Sequence, residues 1–178
     1  MAGMDSAKLS ARARQPGHDQ TFRESEANFI EALETILDLQ EFAVEDKPDD
    51  LRRMLGGRFG IQPEASVEHL PSGRKLYFEV KKQGPAGNAD ERACKHHTVQ
   101  FYKALADFTG YDYHAFCTIM CESLAELDRY TIKHAYFFEP EHCFAWRDYD
   151  LDLLADYIAF VCDRFLLGGG AGPQVVPD

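Results

Sequence analysis

The chain has 178 residues, which suits one domain with a sizeable core. Its 45% hydrophobic content predicts a packed globule, and its net charge of −11 excludes a protein that coats nucleic acid indiscriminately. The five cysteines (Cys94, Cys117, Cys121, Cys143 and Cys162) form no CxxC pair, no segment reads as a signal peptide, and no apolar run reaches a membrane span, so the expectation is a cytoplasmic protein with reduced thiols.

In chain order, residues 1–19 are small, polar and aperiodic, and read as flexible. From 21 to 40 the apolar residues Phe29, Ile30, Leu33, Ile36 and Leu37 recur at helical spacing. Pro48-Asp49-Asp50 opens a short second helix, stopped by Gly56-Gly57. PEASVEHL (63–70) and RKLYFEVKKQ (74–83), joined by Pro71-Ser72-Gly73, form a hairpin signal. Residues 88–108 read as one helix ended by Gly110. HAFCTIMCES (114–123), IKHAYFFEP (132–140) and EHCFAWRD (141–148) read as strands, and 151–167 as a closing apolar helix before the flexible tail 168–178. The expected architecture is α/β, a central mixed β-sheet flanked by helices, forming a single domain over 20–167.

The charge is unevenly spread. Residues 71–103 hold seven Lys/Arg and three acids, so this segment is +4 and the remainder −15. A basic patch on an acidic body can meet a phosphate backbone while the surrounding acids limit stray binding.

That patch contains the residues that carry chemistry. Alternation along LYFEVKKQ puts Leu76, Phe78 and Val80 on one strand face and Tyr77, Glu79, Lys81 and Gln83 on the other. Glu64 and Glu68 share a face of the neighbouring strand. Converging carboxylates with one lysine suit magnesium-assisted hydrolysis of a phosphodiester. Taken alone, E-x-K is a weak signal that reads first as a cross-strand ion pair on a solvated face. In GNADER, Asn88 can cap the following helix and Glu91, three residues on, can complete a capping box. That account leaves Arg92 unexplained. Asn88 and Arg92 are four apart and face the same way; Asn matches the edge of adenine, and Arg is the commonest reader of a purine edge. Cys94 and His97 have a metal-like spacing, but no second ligand pair accompanies them.

GIQPE (60–64), FEVKKQ (78–83) and AGNADERACKHHT (86–98), taken together, resemble the type II restriction endonucleases of the PD-(D/E)XK fold that cut CAATTG and GAATTC. The alignable region runs from about 28 to 147, with EDKPDDL before the motif and CFAWRD after it. The resemblance implies a restriction-endonuclease-like fold and a Mg2+-dependent homodimer. Each subunit would cut one strand of a palindrome centred on AATT and leave a four-base 5′ overhang. It casts Glu64, Glu79 and Lys81 as catalytic, and Glu64, Glu79 and the carbonyl of Val80 as metal ligands. Asn88, Ala89, Glu91 and Arg92 fall on the DNA-reading segment, with Lys82 and Lys95 beside it.

Two departures stand out. Glu64 replaces the family's Asp, which moves the carboxylate outward by about one bond length and leaves room for Glu68 to help. Ala86 stands where the CAATTG-cutting relative has an Arg, so outer base pairs are unread or are read from elsewhere, with Arg58 and Arg147 as candidates by position. The competing expectations are another nuclease of the same fold, acting in repair or junction resolution, and a DNA-binding relative that has lost catalysis.

Overall fold

The computed structural model describes residues 22–57, 60–83, 87–122 and 133–168; the terminal segments expected to be flexible lie outside this set, apart from Gly168. Five strands form one mixed sheet in the order β1-β2-β3-β4-β5. They are β1 (Phe42–Asp46), β2 (Ala65–His69), β3 (Arg74–Gln83), β4 (Phe116–Glu122) and β5 (Cys143–Arg147). The first three pair antiparallel, whereas β3, β4 and β5 run parallel. This is the mixed α/β sheet that the sequence implied.

Both faces of the sheet are covered. Helix α1 (Phe22–Ile36) presents Ser25, Phe29, Ala32 and Leu33, spaced by helical turns, to the face that carries Phe78. The Phe29 ring lies 5.5 Å from Phe78 and 6.1 Å from Trp146 of β5. The closing helix α4 (Leu151–Val161) covers the same face, capped by Asp150, whose Oδ1 accepts from the amides of Asp152 and Leu153. It continues through a π turn over Cys162–Leu166. The opposite face is covered by α2 (Ala89–Ala93) and α3 (Val99–Thr109), with Phe101 of α3 5.4 Å from Phe116 of β4. Hence the β3 face that carries Tyr77, Glu79 and Gln83 is closed in, and all three are buried.

Several expectations need correction. Residues 133–137 of IKHAYFFEP form a helical turn, not a strand. His134 and Phe138 are buried four residues apart while Tyr136 and Phe137 face outward, which is helical spacing. The edge strand β1 was not anticipated: only Phe42 is buried, and the segment ends in Glu45-Asp46, so its pattern is weak. The helix expected over 88–108 is interrupted. After α2 comes a 3₁₀ turn (Cys94–His96), and Thr98 then caps α3 by accepting from the Phe101 amide. The segment after Pro48 is a 3₁₀ helix over Asp50–Gly57 with a kink, where Leu55 holds φ +57.

All five cysteines are free thiols. Among the described residues no helix is long and apolar enough to cross a membrane.

Candidate active site

The antiparallel pairing of β2 and β3 brings two of the predicted acids together. Ala65 pairs with Phe78, and the Glu64 amide donates to the Phe78 carbonyl at 2.9 Å, so Glu64 lies beside Glu79. Glu79 is 6% exposed. The Lys81 ammonium contacts Glu79 Oε1 and lies 4.0 Å from Glu64 Oε1 and 3.4 Å from the Val80 carbonyl oxygen. Three oxygens of the predicted metal set thus converge on one cation. Glu64 and Glu79 line a cleft of about 580 Å³ together with Lys95, His96 and Phe101. Glu68 is elsewhere: it pairs opposite Lys75, with the two charges 3.9 Å apart, and four residues of strand separate it from Glu64, about 13 Å.

Glu64 titrates unusually. Burial, then the neighbouring carboxylates of Glu26 and Glu79, push its pKa up to about 7, against the opposing pull of Lys81 and Lys47. Lys47 supports this corner twice, through an ion pair to Glu26 at 3.3 Å and a backbone amide donated to the Glu64 carbonyl at 3.0 Å. A carboxylate held this reluctantly ionised is one that a second cation would relieve. Among the described residues no three His, Cys, Asp or Glu side chains are placed to hold a metal. The two carboxylates and the Val80 carbonyl form a hard-oxygen set that fits a divalent cation retaining several of its waters.

The helix expected to read DNA is built differently from the sequence expectation. Asn88 precedes α2 but its side chain makes no capping bond, so the expected capping box does not form. The cap is Gln83, the last residue of β3, whose Oε1 accepts from the amides of Ala89 at 3.0 Å and Asp90 at 3.4 Å. Asn88 and Arg92 are both exposed, and neither side chain has a hydrogen-bond or ion-pair partner among the described residues. Glu91 pairs with Lys133 at 3.0 Å rather than with Arg92, and the same ammonium lies 2.9 Å from the fully buried Asp90. The 133–137 turn therefore braces α2 from behind. Ala89 is buried against Ala93, Met120 and Phe138, so its side chain serves packing. Lys95 is exposed at the cleft mouth, whereas Lys82 projects from the other face of β3. Arg58 and Ala86 lie outside the described residues, and half-buried Arg147 ends β5. The Cys94 thiol donates to the Asp90 carbonyl, and His97 Nε2 lies 2.8 Å from Thr118 Oγ1, so each is engaged separately.

Sequence reasoning missed the Gln83 cap, the Lys133 brace and His96 in the cleft wall. Only the first left a trace, since Gln83 shares its strand face with Glu79 and Lys81.

Among solved structures, the MunI restriction endonuclease in complex with cognate DNA superimposes with a TM-score of 0.60 at 16% identity, covering 93% of this chain and 100% of that one. The chain thus has a restriction-endonuclease-like fold. Neither a family model nor a curated protein sequence matches it.

Proposed function

We propose that the chain is a homodimeric, magnesium-dependent type II restriction endonuclease that cuts double-stranded DNA at a palindrome with an AATT core. One observation carries the reading. The strand that bears Glu79 and Lys81 ends in Gln83, and Gln83 is hydrogen-bonded to the helix end that presents Asn88 and Arg92. A hydrolytic centre and a pair of base-reading side chains are thereby held in one rigid unit. In this reading Glu64, Glu79 and the Val80 carbonyl hold the cation, which neutralises charge on the phosphate and acidifies a bound water when present. Lys81, placed between the two carboxylates, offers Nζ–H donors to a phosphoryl oxygen or to the attacking water. Asn88 and Arg92 contact the inner adenines, Glu91 tethers their helix to Lys133, and Lys95 meets the backbone. The endonuclease unit spans 20–167 and works in the cytoplasm, where its thiols stay reduced.

An exposed apolar surface supports the homodimer. Val99 (77% exposed), Tyr102 and Phe137 border one cavity, with Tyr136 (85% exposed) adjacent in sequence. An interface between two copies would cover these side chains.

The test is digestion of mixed-sequence DNA in magnesium buffer, with the cut ends sequenced. Ends carrying AATT with random flanks fit a bare four-base site. A fixed flanking pair shows that a residue outside the GNADER segment reads it. Ends without AATT remove Asn88 and Arg92 as adenine readers. Failure to cut, with binding retained, favours the inactive relative.

A further inference from the structure

The cleft that holds Glu64 and Glu79 has a wall residue with no role in the reading above. His96, from the 3₁₀ turn Cys94–His96, lines it beside Lys95. The side chain is 3% exposed, and its ring centroid lies 4.5 Å from that of Phe116 and 5.3 Å from that of Phe101. Its Nδ1 is buried without a hydrogen-bond partner. Buried polar atoms are nearly always satisfied, and leaving one unpaired opposes folding. A phenylalanine or leucine would suit those two aromatic neighbours without that penalty. Other buried polar atoms share this condition among the described residues, but only His96 Nδ1 belongs to a residue that lines the cleft with Glu64 and Glu79, so its missing partner is sought in what the cleft binds.

The imidazole is also neutral: burial, then the charges of Lys95 and Lys81, push its pKa down to about 3. It therefore carries one N–H donor and one lone pair. A buried cation at this position would be drawn onto Glu79, as Lys81 is; a neutral donor stays available. Because the ring is nearly the same shape after a half-turn about χ2, a terminal torsion with two broad wells, Nδ1 can be re-aimed without displacing its neighbours.

We propose that His96 is a phosphate-positioning residue, donating a hydrogen bond to a non-bridging oxygen of the DNA backbone drawn into the cleft, with Lys95 supplying charge at its mouth. The assignment rests on the nuclease reading. It adds a neutral donor to a cleft whose carboxylates alone would repel a phosphodiester.

The test measures binding, in calcium, of a duplex centred on AATT in which each phosphate in turn is replaced by a methylphosphonate. Wild-type protein should lose about tenfold or more in affinity at one position, as expected for a hydrogen bond to a charged oxygen. His96→Phe should bind the unmodified duplex more weakly by the same factor and lose nothing further at that position. Its melting temperature should equal or exceed that of wild type, because ring packing is kept and the unpaired nitrogen is gone. His96→Gln, which retains a donor, should recover part of the loss. If His96→Phe folds poorly, His96→Leu takes its place in the same cycle. Equal affinity of wild type and variant, or additive losses at every phosphate, overturns the role of His96 while leaving the nuclease reading intact. A wild-type protein that neither binds nor cuts duplex DNA overturns both.

Discussion

Gln83 Oε1 accepts a 3.0 Å hydrogen bond from the Ala89 amide, and so performs the helix cap that the sequence offers to Asn88. The consequence is a division of labour. Asn88→Ala should leave the melting temperature unchanged, because no capping bond is lost. It should reduce discrimination for adenine by roughly 1–3 kcal/mol, the worth of one bidentate base contact. Gln83→Ala should do the reverse in stability. It strands two buried amides and should cost about 1–3 kcal/mol in denaturant unfolding. It should also weaken specific binding, since Asn88 and Arg92 lose their tether to β3. Equal destabilisation by the two variants would show that Asn88 caps after all.

Lys81→Ala and Glu79→Ala should each abolish cleavage of plasmid DNA in magnesium while leaving DNA binding in calcium intact. The two side chains contact each other, whereas the proposed base readers Asn88 and Arg92 lie on the α2 segment. For Glu79→Ala, binding can even improve, because a carboxylate facing the phosphate is removed. Wild-type cutting by either variant removes the site assignment.

The strand-to-strand register also separates the two candidate acids. Glu64→Ala should be inactive, and Glu64→Asp should match or exceed wild type, since Asp stands there in the endonucleases that the sequence motif resembles. Glu68→Ala should cut normally, because Glu68 sits against Lys75, away from Lys81. An active Glu64→Ala beside an inactive Glu68→Ala would reverse the assignment.

Much of this arrangement was legible because it depends on local rules. Strand alternation alone put Glu79, Lys81 and Gln83 on one face, and the hairpin signal at Pro71-Ser72-Gly73 brought Glu64 alongside. What failed depends on tertiary packing. The 133–137 segment mixes β-formers with a helical burial pattern, and only Ala89, Ala93 and Met120 around Phe138 decide between them. β1 has a single buried residue and needs β2 to exist. The cap went to Gln83 because its side chain reaches back from the strand, a contact that no local capping rule describes. His96 was invisible because a histidine within a helical run carries no sign that its ring will be walled in by Phe101 and Phe116.

The apolar surface around Val99 and Tyr136 makes the dimer testable. Tyr136→Glu and Val99→Asp place charge on residues that are 85% and 77% exposed, so the fold should tolerate both. If this surface joins two copies, each variant should shift sedimentation toward monomer and lower double-strand cleavage more than single-strand nicking, because a palindrome is read twice by a two-fold pair. A variant that remains dimeric with wild-type cutting would move the interface elsewhere.

Stability against pH should carry two opposed signatures. Burial lowers the pKa values of His96 to about 3 and of His114 and His142 to about 4, and pushes His97 lower still. For a depressed histidine, stability is present above its unfolded value near 6.5 and lost as pH falls toward the folded value. Glu64 has the opposite sign. Its pKa rises from 4.5 to about 7, so its contribution is present below pH 4.5 and lost as pH rises through 7. Burial lowers the pKa of His134 too, so five histidines against one carboxyl mean that net stability should climb between pH 4.5 and 6.5. Glu64→Gln removes the opposing term. Relative to wild type it should gain about 2 kcal/mol at pH 8 and nothing at pH 4.5, measured by urea unfolding without metal. Magnesium at pH 8 should then stabilise wild type, whose two carboxylates it relieves, and leave Glu64→Gln largely unaffected. An equal gain at both pH values would mean that Glu64 ionises normally and that its burial beside Glu79 carries no electrostatic strain.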